Sequence, residues 1–403
     1  MSSSIKKIRL ATPEGPSRHH HYIALADQPG IEWAGVVAPP WEESLPSKID
    51  ALIISCDQHP PTRLAIHAAK QRGIPVFHIL DGVIDWRTTF ENPKFDLNHG
   101  GVPLFQPLLA DYVISMGHLQ KRQFQWLGNS QVHALGFLRF DNIPRKPCRF
   151  GPVHGNAQIL VATANTPWVT SAQKHRVVEE FRGLKAVLRS HGEAIFKFRI
   201  SQELADEVGI SPDRAGDSQS ALQDASALIT TPSTLAIEGM LAGVPTLVFD
   251  PFGFPALTPS AWTATSHSSV SNALESLICP TEQQALYQDF LLEQMVSPEV
   301  KSAARITSLI VSAVNHSQPL GIVDQGPPCS KISSAFGNEK YSTEQLASLV
   351  ATIPQLDRTI CDLKLDLKKM CDAQKNPKLR SIVGAILKFT GLSKTEKPTS
   401  QNG

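Results

Sequence analysis

The sequence lacks the features that mark several classes of protein. Its six cysteines are far apart and form neither a CxxC pair nor a Cys/His set with metal-ligand spacing, so neither a disulfide scaffold nor structural zinc is predicted. No apolar run approaches the roughly 20 residues of a membrane span, and none at the start has signal-peptide length. The formal net charge of +1 gives no basic surface for nucleic acid. We therefore expect a cytoplasmic protein without a nucleic-acid partner.

Short β-type runs alternate with helical stretches in two successive series. In the first, "TRLAIHAAKQRG" lies between "IDALIISC" and "IPVFHILDG"; the second begins at "AQILVATA". This alternation is typical of parallel sheets covered by helices. The sequence therefore predicts an α/β fold with two Rossmann-like, doubly wound domains facing a cleft. We place the first domain at residues 1–147 and the second at 148–318.

The sequence changes character after residue 318. Residues 319–341 are polar and rich in Gly, Pro and Ser, which predicts a linker. Apolar residues then recur at spacings of three and four across 342–373, which predicts either an oligomerising coiled coil or one helix packed on the body. Residues 374–403 include a basic amphipathic stretch, which can either lie on an anionic membrane surface or dock on protein.

The segment "LITTPSTLAIEGMLAGVPTLVFD" (228–250) predicts a short helix between two strands. With Ser233 as N-cap, the free N–H groups of the first turn form a site for phosphate. The hydroxyls of Thr231 and Thr234 lie in the same place. Glu238 follows within the helix, where its carboxylate can accept hydrogen bonds from the two vicinal hydroxyls of a ribose.

Glu238 is the only charge on this apolar helix, so it needs a partner. The partner is either a bound ribose or, in a capped core helix without such a ligand, a nearby arginine. The sequence leaves both alternatives open.

The strand, "PST", the glutamate and "GMLAG" followed by Pro resemble the donor-binding segment of glycosyltransferases of the GT-B fold. The resemblance is to the bacterial surface-polysaccharide branch, which includes capsule, lipopolysaccharide and polysialic acid transferases and CDP-glycerol glycerophosphotransferases. It covers residues 5–315 by layout, and its specific part is 228–250. It implies that Ser233 and Thr234 bind donor phosphate and that Glu238 binds ribose. Thr230 stands where the retaining enzymes of the fold have a second glutamate, so the resemblance does not extend to that chemistry.

Other residues of the second half are candidates for the same donor site. Lys197 and Arg199 end a predicted strand, where cations can neutralise donor phosphates. Asn165 and Thr166 follow the first strand of this half and can contact a phosphate. Each of these residues is also compatible with an ordinary surface position.

The first half is expected to hold the acceptor and the catalytic base. Arg18, His19, His20 and His21 follow the first strand, and histidine is suited to proton transfer at neutral pH. Neighbouring residues on a helix diverge by about 100 degrees, so the three histidines cannot all face one cleft. We take His19 or His20 as candidate bases and Arg18 as a candidate acceptor ligand.

"HILDGVIDWR" gives a second set of candidates at the end of a predicted strand. Asp81 is either a base or a turn residue that caps a helix. Asp85 and Arg87 are candidate acceptor ligands, and Trp86 offers a flat face for stacking or core packing. Further on, "LGFLRFD" resembles the segment that leaves the first domain, which places Arg139 near an interdomain hinge.

The resemblance implies a transferase that moves a sugar or a polyol phosphate from a nucleotide-activated donor to a glycan or lipid acceptor. No cofactor is expected, and no metal either, since no DxD-like carboxylate pair ends a strand in the second half. Two alternatives remain: a nucleotide-sugar 2-epimerase, and a non-catalytic scaffold with the same fold.

Overall fold

The computed structural model describes residues 7–14, 22–36, 48–58, 60–85, 87–95, 104–105, 108–152, 157–191, 194–253, 257–297 and 301–315. Within these ranges the strands form two sheets in which every pairing is parallel. The predicted α/β architecture is therefore confirmed. The linker, the heptad segment and the tail that were predicted for residues 319–403 lie outside the described residues.

The first sheet has six strands in the order β2-β1-β3-β4-β5-β6. Its elements are β1 (Ile8–Thr12), β2 (Ile31–Val36), β3 (Ala51–Ile54), α1 (Pro60–Gln71), β4 (Val76–Ile79), β5 (Tyr112–Ser115), α2 (His118–Trp126) and β6 (Val132–Ala134). Every residue of β3 and β4 is buried, because one apolar cluster covers each face of this sheet. This is the pattern expected of central strands in a parallel sheet.

The second sheet has five strands in the order β11-β10-β9-β7-β8. Its strands and the helices that follow them are β7 (Gln158–Ala162), α3 (Ser171–Ser190), β8 (Ile195–Arg199), α4 (Gln202–Val208), α5 (Ser218–Asp224), β9 (Ala227–Thr230), α6 (Thr234–Leu241), β10 (Thr246–Phe249), β11 (Trp262–Ala264), α7 (His267–Ile278) and α8 (Glu282–Met295). The strand order reverses between β7 and β9, as in doubly wound folds.

Helix α6 lies where the sequence predicts it, after Pro232 and Ser233 and before Gly243. Ser233 has extended backbone angles and occupies the N-cap position, although its hydroxyl makes no capping hydrogen bond. Gly243 follows the helix with a φ of +73°, a conformation that glycine adopts without strain. The helix therefore connects β9 to β10 over a short span.

The last described helix, α9 (Ser302–Asn315), returns to the first sheet. Ala303, Ile306 and Ile310 pack in the cluster that covers one face of that sheet. Asp141 accepts hydrogen bonds from the backbone N–H groups of Ser302 and Ala303, at 2.8 and 2.9 Å. The described part of α9 and the first sheet thus share one core. Within the described part of the chain, no helix combines the length and apolarity needed to cross a membrane.

Candidate functional site

Glu238 is buried at the centre of the candidate site, with 3 % of its surface exposed. Its Oε1 lies 2.8 Å from Nη2 of Arg139, whose side chain is 44 % exposed. The contact is an ion pair without an aligned hydrogen bond, because no N–H is directed at Oε1. Burial raises the pKa of Glu238, and the charge of Arg139 opposes that shift. The carboxylate therefore has a charge partner and keeps acceptor capacity for a further donor.

The start of α6 faces the first sheet. A Cβ atom on Gly82, just beyond the end of β4, would lie 3.0 Å from Oγ1 of Thr234. The hydroxyl of Ser233 lies 3.3 Å from Oγ1 of Thr230. Thr231 accepts a hydrogen bond from the backbone N–H of Ala164 at 2.9 Å, so its hydroxyl ties β9 to the loop after β7. The three predicted donor residues at this helix start are thus together, opposite the edge of the other sheet.

A small surface cavity is lined in part by Glu238. Its walls come from the segment between the two halves, from α5 and from α6. Gln219 and Gln223 bring amide groups to it, and Lys146 brings a cation.

The remaining donor candidates lie in β8 and in the loop that follows β7. Arg199 donates to the carbonyl oxygens of Ala215 and Gly216, at 2.8 and 3.0 Å, so it holds the loop before α5. Lys197 lies in the same strand and is half-buried. Asn165 and Thr166 are exposed in the loop after β7. None of these four contacts Glu238 through a hydrogen bond or ion pair among the described residues.

Arg87 lies at the junction between the two halves, with only 1 % of its side chain exposed. Its Nε lies 3.2 Å from Oδ1 of Asp85, and its Nη1 donates to the carbonyl oxygen of Pro167 at 3.0 Å. Asp250, after β10, lies 3.8 Å from Nη1, and the ring of Phe252 lies 5.0 Å from Cζ. Asp85 and Arg87 were predicted as acceptor ligands. The structure places the guanidinium among groups of the second half.

Asp81 is exposed at the end of β4, next to the Gly82 that faces α6. The other predicted catalytic residues, His19 and His20, lie outside the described residues together with Arg18. Trp86 lies outside them as well.

Glu14 is a buried group at this edge of the first sheet that the sequence did not single out. Its Oε1 accepts from the backbone N–H groups of Ser55 and Cys56 at 2.7 and 3.0 Å, and its Oε2 accepts from the Ser55 hydroxyl at 2.8 Å. The carboxylate thereby links the loop after β1 to the loop after β3. The available signal was a glutamate directly after a strand, in "ATPEG".

No protein-family model matches the chain. No curated protein matches it either.

Solved structures do share the fold. A structure described as a putative UDP-N-acetylglucosamine 2-epimerase from Listeria monocytogenes has a TM-score of 0.55 and 13 % identity, covering 78 % of this chain and 98 % of that one. A co-structure of S. aureus MnaA with UDP has a TM-score of 0.50 and 15 % identity, covering 77 % and 97 %. A structure of the wall teichoic acid polymerase TagF scores 0.48 at 13 % identity, covering 77 % and 89 %.

At these identities the likeness concerns the fold. The chain has two parallel sheets joined by crossing segments, and α9 returns to the first sheet. The chain has a GT-B-like fold, with two doubly wound halves and a cleft at the carboxyl ends of their strands.

Proposed function

We propose that this protein is an enzyme that binds a nucleotide-activated donor in its second half and transfers the activated sugar or polyol phosphate to an acceptor. The observation that carries the proposal is the state of Glu238. A carboxylate that is buried, charge-paired and still short of a hydrogen-bond donor is suited to the vicinal hydroxyls of a ribose. The helix that bears it begins opposite Gly82 of the first half, and the N-terminus of a helix is suited to binding phosphate.

In this proposal the acceptor and the base belong to the first half. Asp81 is the candidate base within the described residues, because it follows β4 and is next to Gly82, which faces Thr234. His19 and His20 stay candidates from the sequence. The leaving phosphate is stabilised by the N–H groups at the start of α6 and by Lys197, without a metal or another cofactor.

A nucleotide-sugar 2-epimerase is the second candidate. It is favoured by one comparison, since the structure with a TM-score of 0.55 is described as a putative enzyme of that kind. An epimerase needs no acceptor. Incubation with UDP-N-acetylglucosamine alone, followed by NMR of the sugar, would yield a 2-epimer if this candidate is right and unchanged substrate if it is wrong.

The test of nucleotide binding is calorimetric titration of the full chain with UDP, GDP, CDP and CMP. We expect one of them to bind, and we expect Glu238→Ala to weaken that binding by at least roughly tenfold, or about 1.4 kcal/mol. Glu180→Ala is the matched control, because this carboxylate in the same half is engaged with His267 at 2.8 Å and lies on α3. The absence of binding by any nucleotide would overturn both the transferase and the epimerase proposals.

A further inference from the structure

Two side chains of opposite charge are buried near the carboxyl end of β3 without pairing. Asp57 lies just beyond the strand and is fully buried; Arg63 lies near the start of α1 and is 1 % exposed. Among the described residues, none of the three guanidinium nitrogens of Arg63 has a hydrogen-bond partner, and neither does Oδ1 of Asp57. Buried polar groups of folded proteins are almost always satisfied, so this arrangement points to an occupant.

The two groups are close enough to influence each other. Burial lowers the pKa of Arg63, and the negative charge of Asp57 opposes that shift. Asp57 is held in place by its second oxygen, which accepts a hydrogen bond from the backbone N–H of Leu109 at 3.3 Å. A fixed acceptor and a set of unused donors therefore lie near one another without direct contact.

The location is the edge of the first sheet that faces the start of α6. β3 and β4 are adjacent parallel strands, so Asp57 lies at the same edge as Gly82, next to which Thr234 begins α6. Ligands of open α/β sheets bind at this edge. If the second half binds the donor, this is the part of the first half in which an acceptor belongs.

We propose that Arg63 and Asp57 bind the acceptor through an oxyanion and a hydroxyl group next to it. The proposal rests on the proposed function in taking this ligand to be the acceptor. A guanidinium offers five N–H donors in a planar fork that matches the oxygens of a phosphate or a carboxylate. Oδ1 of Asp57 accepts the hydrogen bond of the hydroxyl. A hydroxyl alone would leave most donors of Arg63 unmet, and an oxyanion alone would face Asp57 without a donor for it.

The oxyanion can belong to a phosphate ester or to a sugar acid, and ligand titration separates the two. The full chain is first saturated with its best nucleotide, so that the start of α6 is occupied. It is then titrated by calorimetry with glycerol 3-phosphate, with propyl phosphate and with D-glucuronate. Binding of glycerol 3-phosphate identifies a phosphate ester, and binding of D-glucuronate identifies a sugar acid.

Arg63→Met should weaken the binding of the preferred ligand by at least roughly tenfold, because it removes every charged donor. Arg72→Met is the matched control, since Arg72 is an exposed cation just past the end of the same helix, and it should leave binding unchanged. Arg63→Lys keeps the charge without the fork and should bind with intermediate affinity. This variant also keeps the test valid if the methionine variant does not fold.

Asp57→Ala tests the hydroxyl, because alanine has no side-chain acceptor. For a phosphate-ester site, wild-type protein should prefer glycerol 3-phosphate to propyl phosphate, and the variant should bind the two about equally. For a sugar-acid site, the variant should lose the preference for D-glucuronate over cyclohexanecarboxylate.

The proposal is overturned if wild-type protein binds none of these ligands, in which case water alone occupies the site. It is equally overturned if Arg63→Met binds as tightly as wild type. Nucleotide binding is measured on the same samples, so the two proposals fail separately. If no nucleotide binds, the titrations are run without one. Binding that depends on Arg63 would then support the oxyanion site although the nucleotide proposal had failed.

Discussion

The guanidinium of Arg139 and the carboxylate of Glu238 lie 2.8 Å apart, and the two residues differ sharply in exposure. The cation reaches solvent, whereas the anion is almost completely buried. A solvated partner screens a buried charge only in part, which is why burial still raises the pKa of Glu238. The ionised carboxylate is therefore a local cost to the stability of the protein without ligand.

Glu238→Gln should make the unliganded protein more stable at neutral pH, by on the order of 1 kcal/mol. A carboxyl whose pKa is raised on folding contributes stability below its unfolded pKa and loses it as the pH rises through the folded value. The advantage of the glutamine variant should therefore be absent below about pH 4, near the unfolded value for Glu. It should grow as the pH rises and level off above the folded pKa. Urea denaturation across this pH range measures it.

One control variant accompanies that experiment. Glu179→Gln alters an exposed carboxylate, paired with His175 on the surface of α3, and should leave the pH dependence unchanged. If Glu238→Gln were less stable than wild type at pH 7, the ion pair with Arg139 would outweigh the cost of burial, and our account of Glu238 would be wrong.

Arg87→Met should destabilise the protein by about 2–4 kcal/mol, because it removes a buried cation that Asp85, Pro167 and Asp250 all contact. Arg145→Met is the comparison. Arg145 pairs with Glu293 at 3.0 Å, but both side chains are well exposed, so its loss should change stability by less than about 1 kcal/mol. Urea denaturation compares the two variants. Equal losses of stability in the two variants would show that the buried contacts of Arg87 stabilise the protein no more than an exposed ion pair does.

Glu14→Ala should destabilise the protein by about 2–4 kcal/mol, because it leaves two buried backbone N–H groups and the Ser55 hydroxyl without an acceptor. Glu14→Gln keeps one acceptor oxygen and should retain part of the stability. Nucleotide affinity should not change in either variant, since Glu14 lies in the first half. A variant that folds normally but loses nucleotide binding would instead place Glu14 in the ligand site.

The described thiols should differ in reactivity. Burial and the neighbouring Asp289 raise the pKa of Cys148 to about 12, so little thiolate forms at pH 8. Cys56 is also buried, whereas Cys279 is exposed. Brief treatment with iodoacetamide at pH 8, followed by peptide mass spectrometry, should find Cys279 modified and both Cys56 and Cys148 protected until urea is added. Early modification of Cys148 would contradict its burial.

Local sequence signals predicted those helices and strands whose formation depends on neighbouring residues in the sequence. The helix from Thr234 to Leu241 follows from the Pro and Ser before it and the Gly after it, and the buried strands follow from their apolar runs. The chemistry of Glu238 was predicted only as two alternatives, because its partner Arg139 comes from a distant part of the chain.

Arg87 shows the same limit. Its position beside Asp85 is visible in the sequence, but its contacts with Pro167 and Asp250 depend on how the two sheets meet. Arg63 carries no local signal at all, because a cation near the start of an amphipathic helix usually faces solvent. Burial of such a group is a property of the tertiary structure.

The return of α9 to the first sheet has a mechanical consequence. The backbone passes between the two halves twice, once after the turn at Leu138–Asn142 and once between α8 and α9. The two covalent crossings thus connect the two halves at two points. Rotation of the halves about the line that joins the two crossings moves neither crossing, whereas sliding or separation of the halves displaces both. Opening of the cleft should therefore be a swing with a single axis, and Arg87 at the junction is placed to resist it.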